Sequence, residues 1–244
     1  IKVLGKNIKF VENKLFYLDQ NEDTVFFCDL KNLTYSYHEN LYNEIISKFN
    51  IFNLPVKLKL KHDIYNKNIF TYLNLNSLKL KIEKDLTYNE DELQGEIELN
   101  YINKNQSIKY ILKDNKLVFN SIDEKFSGTI NIKPFFLLSN LNFQNIKIKN
   151  TFMNNSILIN FLKSEIFYNK NLNGKINVTV KGLNDLNHID KVSFNIQFDE
   201  GLIFISNLNF IFKNKTKINF NNVNVIVEEN DLKFIGNASI KFED

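Results

Sequence analysis

The stretch that decides how this chain folds is D-L-K-F-I-G-N-A-S-I-K-F-E-D, running from Asp231 to Asp244. Leu232, Phe234, Gly236, Ala238, Ile240 and Phe242 fall on one side of an extended backbone; Lys233, Asn237, Ser239 and Lys241 fall on the other. A period of two sends successive side chains to opposite faces, so this is a strand with one apolar and one wet face. The same alternation recurs at Val192/Phe194/Ile196/Phe198, Ile176/Val178/Val180 and Val56/Leu58/Leu60. So many one-sided strands create much apolar sheet surface, and the sequence offers little to cover it.

The bulk composition is that of a folded chain. Of 244 residues, 43% are hydrophobic and 14% aromatic, which excludes disorder, and Phe dominates the aromatics (23 Phe, 10 Tyr, no Trp). Every basic side chain is Lys, and Asn is abundant, a bias expected of an AT-rich genome. The net charge of +3 comes from 31 basic and 28 acidic residues, too even for a nucleic-acid footprint, so no nucleic-acid partner is expected. The single Cys28 excludes an internal disulfide. Asn-x-Ser/Thr triplets such as Asn237-Ala-Ser239 are expected by chance at this Asn content. No run of about 18 apolar residues is present that could span a bilayer. The sequence begins at Ile1, not Met, and has no basic-then-apolar leader; the readings are a soluble protein or a segment of a longer chain whose anchor lies outside it, and the missing Met favours the segment.

Two prolines and seven glycines leave turns mostly to Asn and Asp. Lys113-Asp-Asn-Lys116 and Phe198-Asp-Glu-Gly201 read as hairpins between flanking strands. Further strands are expected at Ile8–Val11, Val25–Asp29, Leu78–Ile82, Glu96–Tyr101, Gly128–Ile132, Leu202–Ile205, Leu208–Phe212, Ile218–Phe220 and Val223–Val227. Leu41–Phe49 fits a helical face or a strand, and strand is the preferred reading. Short connections imply antiparallel meander pairing. One segment differs. Ile157, Leu158, Phe161, Leu162 and Ile166 recur at helical spacing, predicting one amphipathic helix over 155–167. The acidic, apolar-poor stretch Thr87–Gln94 reads as an exposed loop, and it is the place where a weak division of the sheet, near 87–94, would fall.

Chemistry-bearing constellations are sparse. His38, His62 and His188 are far apart and lack metal-ligand spacing, so no metal or cofactor is expected. Cys28 follows Phe26-Phe27 and reads as a small core residue. Glu96 and Glu98, like Lys57, Lys59 and Lys61, alternate along a wet face and do not form an acid/base pair. No nucleophile elbow, phosphate loop or dinucleotide fingerprint occurs, and nothing supports an enzyme. The surplus apolar face therefore has two solutions: a closed sandwich or barrel, or an open apolar trough. Exposed apolar faces beyond a few hundred Å² mark binding sites. A trough would suit an acyl chain, each buried CH₂ contributing about 0.8 kcal/mol.

The order of segments in the second half adds to this. Gly128-Thr-Ile-Asn-Ile-Lys-Pro-Phe135 leads to a Leu-rich strand and the predicted helix. Asn171-Leu-Asn-Gly-Lys-Ile-Asn-Val-Thr-Val180, Phe198-Asp-Glu-Gly-Leu-Ile-Phe-Ile-Ser-Asn207 and Leu232-Lys-Phe-Ile-Gly-Asn-Ala-Ser-Ile-Lys-Phe242 follow. This order resembles the C-terminal region of AsmA-like (AsmA/TamB-type) proteins, best over 108–244 and loosely through Ile51-Phe-Asn-Leu-Pro-Val-Lys-Leu-Lys-Leu60; the composition looks like versions from AT-rich alphaproteobacteria. The resemblance implies a periplasmic, inner-membrane-anchored protein. Its fold would be mainly β: a long, twisted antiparallel meander sheet curled into an open apolar groove, continuous over 1–244. Such a groove would conduct phospholipid between the inner and outer membranes in outer-membrane biogenesis, with envelope proteins as further partners and no catalytic residues. The groove-lining candidates, taken from alternation, are Ile176, Val178, Val180, Val192, Phe194, Ile196, Phe198, Leu208, Phe210, Phe212, Phe234, Ala238 and Ile240. Gly236 is expected where the sheet bends. The competing reading is a non-catalytic structural or adhesive β-sandwich module.

Overall fold

The computed structural model describes residues 5–18, 21–39, 41–87, 93–101, 104–147, 164–186, 188–213, 216–228 and 231–242. These residues are almost entirely β. Among the described residues, sixteen strands follow one another in chain order in one sheet that is mostly antiparallel and is not closed into a barrel. The chain divides into two units, Ile1–Ile122 with Ile132–Pro134, and Asp123–Asn131 with Phe135–Asp244.

The first unit holds β1 (Gly5–Leu18), β2 (Thr24–His38), β3 (Tyr42–Ile51), β4 (Leu54–Asp63), β5 (Asn68–Leu75), β6 (Leu80–Thr87), β7 (Leu93–Tyr101), β8 (Lys104–Lys113) and β9 (Lys116–Ser121). All the pairings between neighbours are antiparallel. The ambiguous segment 41–49 is a strand, as its β-branched and aromatic run favours. Two-residue turns join β3 to β4 through Phe52-Asn53 and β8 to β9 through Asp114-Asn115, all at positive φ. That is the mirror-image turn whose twist matches the flanking strands. Leu78 lies in a short 3₁₀ turn (Asn76–Leu78) before β6, so this strand starts two residues later than its sequence suggests. Residues 88–92, the core of the expected loop, lie outside the described residues; β6 and β7 on either side of them pair with each other.

The second unit holds β10 (Phe126–Asn131), β11 (Phe136–Phe143), β12 (Asn173–Val180), β13 (Ile189–Asp199), β14 (Leu202–Phe212), β15 (Thr216–Glu228) and β16 (Asp231–Phe242). One contact departs from the antiparallel pairing expected of strands joined by short connections: β11 and β12 run parallel, from Phe136↔Asn173 to Phe143↔Val180. The connection between them is long enough to return the chain to the end it started from, which parallel neighbours require. That connection contains the predicted helix. Residues 155–163 lie outside the described residues, and its described end, Glu165–Tyr168, is a single 3₁₀ turn.

Strands expected as separate pairs are continuous. Leu202–Ile205 and Leu208–Phe212 are two halves of β14, and Ile218–Phe220 and Val223–Val227 are two halves of β15. Each is interrupted by an irregularity in pairing where Asn207 and Asn222 take positive φ. Asn tolerates that conformation better than other residues with a side chain.

Candidate functional site

In the second unit, cross-strand register gathers the alternating apolar positions into rows that cross the sheet on one face. One row runs Leu137, Gly174, Phe198, Ile203, Val225, Phe234. The next runs Ser139, Ile176, Ile196, Ile205, Val223. Another runs Phe143, Val180, Val192, Phe210, Ile218, Ile240. Between these last two, Val178 faces Phe194, and Leu208 faces Phe220, which faces Ala238. Phe212 sits one step beyond Phe210 on the same face, opposite Thr216. The opposite face carries the polar residues, where the Asn177 side-chain amide donates to Asn140 Oδ1 at 2.8 Å, together with exposed Leu138, Phe204, Ile226 and Ile235.

The thirteen candidates therefore share one face, but their surroundings differ. Phe198 is 2% exposed and packs with Ile203 and Val225; Ile166 and Tyr168 of the 3₁₀ turn close over this end. Val178, Val180 and Val192 are buried with Leu183, and Ile176, Phe194, Leu208 and Phe210 pack against them half-buried. Ile196 is half-buried against the Phe198 cluster. Towards β16 the cover stops. Phe234 and Ile240 are 51% and 58% exposed, and Ala238 is exposed as well. Among the described residues no second sheet lies over this face, and β16 pairs only with β15.

Alternation read strand by strand overlooked Ile203, Ile205, Ile218, Phe220, Val223 and Val225. Their signal is a three-residue step: Ile203/Ile205 then Leu208/Phe210/Phe212, and Ile218/Phe220 then Val223/Val225. A bulge adds one residue and restores the same face after it. Gly236 lies opposite the β15 bulge, since Asn221 faces Asn237 and Asn224 faces Ile235. A Cβ at Gly236 would come within 2.8 Å of Val223 Cγ2, so glycine allows this irregular approach.

The first unit repeats the arrangement. One row runs Leu33, Ser47, Leu58, Leu73, Ile82, Leu99. A second runs Ile45, Leu60, Thr71, Lys84, Ile97, Ile108. Ser47 is buried within its row and donates through Oγ to the Asn32 carbonyl at 2.9 Å, which satisfies its hydroxyl. Leu86 and Gly95 adjoin Tyr110, whose buried ring lies across the glycine: a Cβ there would fall 2.9 Å from the Tyr110 hydroxyl. Glu83, Asp85, Glu96 and Glu98 are exposed on the other face. Cys28 is buried, and burial raises its thiol pKa above the ordinary value, with Asp29 adding to the effect.

Among the described residues no group of three His, Cys, Asp or Glu could hold a metal ion, and no helix is long and apolar enough to cross a membrane. No protein-family model, curated protein or solved structure matches the chain.

Proposed function

We propose that this chain is a non-catalytic lipid-binding and lipid-conducting protein of AsmA-like type. In this reading it works in the periplasm, is held at the inner membrane by an anchor outside the segment, and supports phospholipid transport between inner and outer membranes and outer-membrane biogenesis. The observation that carries the reading is the set of apolar rows whose cover runs out towards β16. A sheet face that ends in half-exposed Phe234 and Ile240 has unsatisfied apolar area, and acyl chains are the ligand that such a surface accommodates without hydrogen bonds.

The test is the lipid content of purified protein. Organic extraction and mass spectrometry should recover phospholipid from the wild-type chain. The double substitution Ala238→Asp, Ile240→Asp should lower that amount several-fold while leaving the circular dichroism spectrum unchanged, because both positions are exposed. Wild-type protein free of lipid, and unable to take it up from vesicles, would sink the proposal. Val178→Asp is a poorer probe, since Val178 is buried and the charge would threaten the fold.

A further inference from the structure

Lys84 stands where the pattern calls for an apolar residue. On β6 it alternates with Ile82 and Leu86, and across the sheet it faces Thr71 on β5 and Ile97 on β7. The carboxylates of β6 and β7, Glu83, Asp85, Glu96 and Glu98, all point to the opposite face by the same register. The Lys84 ammonium instead lies over the Tyr110 ring, 4.5 Å from its centroid. Among the described residues it has no carboxylate partner. Among the described residues this half-buried cation faces only a ring quadrupole, an arrangement whose cost in free energy an arriving anion would offset. Burial also pushes its pKa below the ordinary lysine value.

Resting on the lipid-binding reading above, we propose that Lys84 receives the anionic head, carboxylate or phosphate, of an acyl-chain amphiphile. The chain of that amphiphile lies along the neighbouring row Leu58, Leu73, Ile82, Leu99. These four strands span about 14 Å at the usual strand spacing, comparable with an extended dodecyl chain. The ammonium then sets which lipids bind, and the apolar row supplies affinity that does not depend on the head.

Calorimetric titration of delipidated protein with dodecanoate, dodecyl phosphate, dodecanol and inorganic phosphate separates these contributions. The expected result is at least tenfold tighter binding of the two anionic amphiphiles than of dodecanol, and no binding of inorganic phosphate. Lys84→Met should bring all three amphiphiles to the affinity of dodecanol, while Lys84→Arg keeps the preference. Whichever of dodecanoate and dodecyl phosphate binds tighter identifies the head as carboxylate or phosphate. Equal wild-type affinities for dodecanol and the anions would overturn the role of Lys84 while leaving the apolar face as a binding surface. Inorganic phosphate binding as tightly as dodecyl phosphate would overturn the lipid assignment. Failure of every amphiphile to bind would overturn the lipid-binding reading itself.

Discussion

Tyr110 lays its ring over Gly95 on the neighbouring strand and loses its hydroxyl to the interior, where the oxygen has no hydrogen-bond partner. A buried unpaired hydroxyl costs about 1–3 kcal/mol, whereas the ring alone contributes by covering the glycine. Tyr110→Phe is therefore expected to raise stability by about 1 kcal/mol in urea unfolding. Burial also raises the Tyr110 pKa from 10.0 to about 12. The unfolded chain gives up this proton first, so stability is lost as pH rises from 10 through about 12, and Tyr110→Phe removes that loss. Lys84 has the opposite sign. Its folded pKa lies below 10.5, so stability rises with pH from that lowered value up to 10.5, a slope absent in Lys84→Met. The glycine–aromatic pairing recurs in the second unit. A Cβ on Gly174 would sit 2.5 Å from both Phe198 Cζ and the Leu137 carbonyl oxygen, and the carbonyl belongs to the backbone of a paired strand. Gly174→Val should cost about 3 kcal/mol or more, or prevent folding, in the same urea assay, and an unchanged midpoint would refute this packing account.

At the scale of the element, the bulges of β14 and β15 keep each strand's two halves on one face. Deleting Asn222 removes the extra residue and turns either Val223 and Val225 or Ile218 and Phe220 to the wet side. We expect that deletion to abolish cooperative thermal unfolding of the β15–β16 hairpin and expose it to protease. Asn222→Gly, which suits φ 53°, should leave it intact. On the wet face of β6 and β7, Glu83 faces Glu98 and Asp85 faces Glu96, two like-charge pairs in register. Glu98→Lys should stabilise the protein by about 0.2–1 kcal/mol at low salt, and the gain should shrink on adding salt. These elements also show what alternation discloses. It assigns a face to each residue, which is why Ile176, Phe194 and Leu208 meet although no local signal links them. It does not disclose which strands pair: the parallel contact of β11 with β12 depends on the path of a long connection. Nor does it disclose cover. Phe198 and Ile240 read alike in sequence, yet the turn carrying Ile166 and Tyr168 closes over the first and nothing described covers the second.

For the molecule as a whole, stability should depend on what occupies these faces. Phe234 and Ile240 in the second unit are half-exposed, and the row Leu58, Leu73, Ile82, Leu99 in the first is only half-buried, so a guest covering either would remove further apolar area from water. A ligand that binds only the folded state adds RT ln(1 + [L]/Kd), about 2.7 kcal/mol at a hundredfold excess over Kd. Delipidated protein is thus expected to unfold at a lower temperature than protein as purified, and to recover the difference on titration with dodecyl phosphate. The recovery should be smaller in Ala238→Asp, Ile240→Asp, which damages the face in the second unit, and smaller in Lys84→Met, which damages the face in the first. Ala238 and Ile240 pair with β15 and Lys84 with β5 and β7, so the effects of these substitutions should add. A melting temperature indifferent to delipidation and to added amphiphile would mean that the rows satisfy each other without a guest, and that the uncovered end at β16 is an ordinary sheet edge.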